Sequence, residues 1–161
     1  MADYIEGYGH FHKINGWSQN GLLFYKKRKV IIYMEKVILF NVSCKEEIKK
    51  LLTPMHLQVT SADARQYNDT LKNIADGKTD IINSNPFTGK IPDESLILFC
   101  GISDKKLDKI LFKLRNNKDI QVTYKAVLTP SNSGWTVKQL FLELAKEQAA
   151  YNMLQKQQNT P

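Results

Sequence analysis

Cysteine is scarce in this chain, and the two present, Cys44 and Cys100, are too few for a disulfide framework. They also lack the close spacing of a zinc knuckle or a CxxC redox motif, so a reduced cytoplasmic protein is expected. Long hydrophobic runs are missing too. The longest mostly apolar stretch, Val30 to Val42, is interrupted by Glu35, Lys36 and Asn41 and falls short of the roughly 20 residues that span a bilayer. The N-terminus has no charged start followed directly by an apolar segment, which argues against export and membrane insertion. No Walker loop, dinucleotide fingerprint, HExxH or GxSxG occurs. No cofactor, resident metal or catalytic residue is therefore expected, and an enzyme is the weaker functional class.

What is present is globular: 161 residues, 42% hydrophobic and 24% charged, enough for one ordinary domain with a sizeable core. The formal charge is +7 and the pI about 9.3. That balance favours phosphate backbones or anionic surfaces through a long-range, salt-screened attraction without specifying one.

Residues 1–33 differ from the rest. They are rich in aromatics (Tyr4, Tyr8, Phe11, Trp17, Phe24, Tyr25, Tyr33) and carry the basic cluster Lys26, Lys27, Arg28, Lys29. One reading is an arm that stacks on bases and pairs with phosphates; the plainer one is a leader outside the folded unit, with the domain spanning 34–155 and a polar tail over 156–161. His10 and His12 have a spacing that could share a metal on a strand, but no third ligand accompanies them.

Two stretches then read alike. VILF at Val37–Phe40 is a short continuous apolar run, as in a strand covered on both faces. Ser43 and Glu46 have capping-box spacing, and Ile48, Leu51 and Leu52 give the following helix one apolar stripe, which Pro54 ends. Leu57–Thr60 reads as a strand and Ala64–Ala75 as a weaker helix. Asp76–Ser95 is a long connection, after which LILFC at Leu96–Cys100 restarts the pattern. Aligning Val37–Phe40 with Leu96–Phe99 also aligns Ile48, Leu51, Leu52 with Leu107, Ile110, Leu111, which suggests a duplicated unit. Ile120–Thr129 supplies the next strand. Thr136 with Gln139 forms another capping box, and Val137, Leu140, Phe141, Leu144 and Tyr151 line a long final helix.

Four alternations of strand and helix favour an α/β domain with a small, mainly parallel sheet built from two strand-helix-strand-helix halves. Ligands of such sheets bind beyond the carboxyl ends of strands. That rule selects Asn41, Ser43 and Cys44, and as candidate ligand-binding residues Cys100, Gly101, Ser103, Asp104, Thr129, Asn132, Trp135 and Thr136. The last loop offers hydroxyls, an amide and NH groups at a helix start, suited to a small anion. It also has a purely structural reading, in which Thr136 caps the helix, Pro130 and Gly134 shape the turn and Trp135 packs on the core. Cys44, at a helix start, could be a stabilised thiolate, but His56 lies at the far end of that helix.

At LILFCGISDKKLDKILFKL and TYKAVLTPSNSGWTVKQLFLELAKE the chain resembles a family of small, uncharacterised bacterial proteins, common among Firmicutes and classed only as a domain of unknown function. Phe99, Cys100, Gly101, Ser103, Asp104, Lys125 to Pro130, Asn132, Trp135 and Thr136 carry the resemblance. It covers about the C-terminal third to half of the chain and implies no activity. The function expected from the residues is a noncatalytic cytoplasmic module binding a small ligand or a protein partner. The alternative is nucleic-acid binding through Lys26, Lys27, Arg28 and Lys29 with the lysine-rich helix Lys105–Lys118, whose plainer reading is a solvated face.

Overall fold

The computed structural model describes residues 35–78, 89–90 and 92–158. In chain order the strands are β1 (Lys36–Phe40), β2 (Gln58–Ser61), β3 (Leu96–Cys100) and β4 (Tyr124–Val127). The helices are α1 (Lys45–Leu52), α2 (Leu71–Asp76), α3 (Asp104–Asn116) and α4 (Val137–Gln158). The strands form one sheet in the order β2-β1-β3-β4. The two uninterrupted apolar runs take the two central places, where helices cover both faces.

The sheet is mixed rather than mainly parallel. β1 pairs parallel with β2, and β3 parallel with β4, but β1 and β3 run antiparallel, with Lys36 opposite Cys100 and Phe40 opposite Leu96. Each strand-helix-strand unit must be parallel because its crossover helix returns the chain to the same end. The join between the two units carries no such constraint, and an apolar strand buried on both faces reads alike in either direction. Since β3 reverses β1 and the units step outward to opposite edges, crossovers of one hand put α1 and α3 on the same face.

Side-chain alternation divides the core. Val37, Leu39, Ile97 and Phe99 meet Ile48 and Leu52 of α1 and Ile110 and Leu114 of α3. Ile38, Phe40, Leu96, Leu98 and Cys100 meet Tyr67, α2 and Val137, Leu140 and Phe141 of α4. The sequence alignment of Val37 with Leu96 therefore pairs residues on opposite faces. A one-residue slip along a strand has that effect. The IQVT segment at Ile120–Thr123, expected inside a strand, instead precedes β4.

Local chemistry explains the remaining boundaries. Ser43 and Glu46 form no capping box: Cys44 occupies the cap without a side-chain bond, and Glu46 pairs with Lys49 at 2.9 Å. The expected helix over Ala64–Ala75 breaks in two, into a 3-10 turn at Ala64–Asn68 and α2, because Asp69 is extended and Thr70 caps α2 by accepting from the Asn73 amide. The Thr136–Gln139 box does form, with reciprocal bonds of 2.8 and 3.2 Å. α4 buries Val137, Leu140 and Phe141, yet Tyr151 at the far end of the expected stripe is 58% exposed. The helix also continues to Gln158, through part of the expected polar tail. The leader at 1–33 lies outside the described residues.

Candidate functional site

The antiparallel centre separates the residues that the strand-end rule had grouped. Asn41, Ser43 and Cys44 leave β1 at one end of the sheet, whereas Cys100, Gly101, Ser103 and Asp104 leave β3 at the other. Thr129–Thr136 does share the β3 end, because β3 and β4 are parallel. Both central strands exit through a left-handed residue, Asn41 (φ 50) and Gly101 (φ 64). The Asn41 side chain donates to the carbonyls of Pro92 and Glu94 at 2.8 and 3.2 Å, tying down the approach to β3.

The polar groups of the Thr129–Thr136 loop are largely engaged within the fold. Asn132 Oδ1 accepts from the Thr129 amide at 2.8 Å, and its Nδ2 donates to the Val127 carbonyl at 2.9 Å. Thr129 and Ser131 share a hydroxyl contact at 2.9 Å, and Ser133 Oγ donates to Pro130 at 3.0 Å. The carbonyls of Trp135 and Ser133 accept the amides of Leu71 and Lys72 at 2.8 and 3.0 Å. Trp135 packs partly buried against the core. The structural reading thus explains the loop, which fastens the start of α2 to the start of α4. Ser103 and Asp104 are exposed at the start of α3, and Ser103 makes no side-chain capping bond.

The cysteines differ sharply. Cys100 is 1% exposed, and burial pushes its thiol up to about 12, against a smaller opposing pull from Lys36. Cys44 is half-buried, with Sγ 3.9 Å from the Gln121 carbonyl. His56 is exposed, capping the 3-10 turn after α1 in a left-handed conformation. Iodoacetamide is expected to label Cys44 in the native protein and Cys100 only at the rate of opening. Equal native labelling, read by mass spectrometry, would contradict the burial of Cys100. Because the Cys100 value is raised on folding, its contribution to stability is intact below the ordinary thiol range. It is lost as pH climbs from about 9 towards 12.

A site that the sequence reading missed lies at the end where β1 stops and β4 begins. There Leu111, Leu114 and Arg115 of α3 face the Ile120–Thr123 link, Lys125 and Ser43 across a groove of about 720 Å³. Arg115, in the last turn of α3, makes no hydrogen bond or ion pair among the described residues. Lys125 donates to the Val122 carbonyl at 3.2 Å, and the Thr123 hydroxyl meets Ser95. In the sequence Arg115 stands out as a cation beyond the apolar stripe of α3, whereas IQVT has the pattern of a strand and yet lines the groove as a link. Among the described residues no group of three or more His, Cys, Asp or Glu could hold a metal ion. Lys26, Lys27, Arg28, Lys29, His10 and His12 lie outside the described residues.

The segment from Ser95 to Tyr151 contains β3, α3, β4 and most of α4, the second half of the sheet with its helices. A DUF3783 domain of unknown function is found at residues 95–151. The DUF3783 segment supplies every groove residue except Ser43, which reaches in from the first half. It also contains all the strand-end loop residues from Cys100 to Thr136. No curated protein and no solved structure matches the chain.

Proposed function

We propose that the chain is a noncatalytic cytoplasmic module that binds a small anionic ligand in the groove between α3 and β4. The observation that carries this is the Arg115 guanidinium, without a partner among the described residues, in a groove that is also lined by Lys125, Leu111, Leu114 and Val122. A volume of about 720 Å³ lies within the range of small-molecule sites, which combine apolar lining with a few placed polar groups. Arg115 offers a fork matched to a carboxylate or phosphate, with the hydroxyls of Ser43 and Thr123 as further partners. No helix among the described residues is long and apolar enough to cross a membrane.

A thermal-shift and NMR screen of carboxylates and phosphate esters tests this reading. A ligand that shifts the amides of residues 120–125 should lose about 10- to 100-fold in affinity with Arg115→Glu, the usual weight of a charge-assisted bond. Ligands that shift only the Thr129–Trp135 loop would move the site to the other end of the sheet.

We also infer an ancestral duplication in which β1 through Ser43 aligns with β3 through Ser103, one residue away from the register read in the sequence. Aligning Val37 with Ile97 keeps both on the same face. It brings together the left-handed Asn41 and Gly101, the buried Val42 and Ile102, and Ser43 and Ser103. Ile38 and Leu98, equivalent in this register, pair at the middle of the β1–β3 ladder. Aligned relatives should score best with Val37 on Ile97. A better score for Val37 on Leu96 would sink this register.

A further inference from the structure

Along the exposed side of α3, Lys105, Lys109, Phe112 and Asn116 succeed one another at helical spacing, with Lys113 adjoining Phe112. All are exposed, and Ile110 and Leu114 occupy the buried side. Lys105, Lys109 and Lys113 have no ion pair or hydrogen bond among the described residues, whereas Lys106 beside them is tied to Glu35. Phe112 is the exception on this surface: 65% of it is exposed. What sets it apart is its setting: an aromatic ring in reach of solvent directly beside Lys109 and Lys113 along the same helix. Beside the row, Met55, Ser103, Lys105, Lys106 and Lys109 line an open groove of about 300 Å³. Asp104 and Asp108, also exposed on α3, narrow the positive surface to a strip.

We propose that this face of α3 binds single-stranded nucleic acid, pairing phosphates with Lys105, Lys109 and Lys113 and stacking a base on Phe112. Phosphate pairing by itself is sequence-blind and strongly salt-dependent. An aromatic ring adds affinity only when a base is free to leave its neighbours and stack. The inference is independent of the α3–β4 groove, which lies on the other flank of the helix.

The test is fluorescence anisotropy with the full chain and a labelled single-stranded RNA of about 12 nucleotides. Three neutralised phosphates predict a slope of log affinity against log salt near −2. Replacing the three lysines together (K105E, K109E, K113E) should weaken binding by at least about 100-fold and flatten that slope. Phe112→Ala should weaken it about 10-fold with the slope unchanged, and Phe112→Trp should retain it. Each variant should melt as the parent does, because every altered side chain is exposed. Undiminished binding by the triple variant would place the contact elsewhere on the chain and overturn the proposal. So would equal affinity for duplex RNA or for vesicles containing phosphatidylserine, which would reveal a general polyanion or lipid-surface attraction without base stacking.

Discussion

Replacing Phe40 with alanine should cost about 3–5 kcal/mol of folding stability, measured by urea denaturation. Phe40 is fully buried at the end of β1. Its ring meets Tyr67 edge-on at 6.0 Å, Tyr67 stacks on Phe141 at 6.2 Å, and Phe141 meets Tyr124 edge-on at 6.3 Å. This aromatic row links β1, the 3-10 turn at Ala64–Asn68, α4 and β4. Truncating its first ring removes transfer free energy and leaves a cavity that neighbours on several elements cannot jointly close. For a domain whose total stability is about 5–15 kcal/mol, that is a large fraction. Phe112→Ala provides the contrast, with an expected change within about 0.5 kcal/mol for an exposed ring. A loss below about 1.5 kcal/mol for Phe40→Ala would show that this side of the core collapses readily and is not closely packed.

Asn132→Ala should cost about 2 kcal/mol while leaving any ligand of the α3–β4 groove bound as before. The Asn132 side chain satisfies the Thr129 amide and the Val127 carbonyl, and alanine leaves both without that partner. The effect should propagate to α2, whose first amides donate to the carbonyls of Trp135 and Ser133. Hydrogen exchange at Leu71 and Lys72 should therefore accelerate more than exchange in β3. Asn132→Asp would keep the acceptor but lose the donor, so an intermediate loss is expected. Unchanged stability with abolished ligand binding would return the Thr129–Trp135 loop to the role of binding site. The structural role assigned to Asn132 would then be wrong.

Local chemistry was legible where the decisive groups are close in sequence. The Thr136–Gln139 box needs residues three apart, and it forms as its spacing implies. Val37–Phe40 and Leu96–Cys100 read as covered strands because unbroken apolar runs cannot present a wet face. The same locality misled at Ser43, where Glu46 found Lys49 one turn on instead of returning to the cap. At Asp69 and Thr70 two cap-forming residues divided what looked like one weak helix.

By itself the sequence determined the apolar runs that became central strands, the helical stripe of α3, the final capping box and the basic charge, all set by neighbours a few positions apart. Tertiary structure alone decided the direction of β3 against β1, and with it which strand-end loops share an end of the sheet. An apolar strand presents the same faces whichever way it runs, so nothing in LILFC records its direction. The α3–β4 groove belongs to the same class. It exists because Ser43 and Arg115, far apart along the chain, are brought to one end by the pairing of four strands.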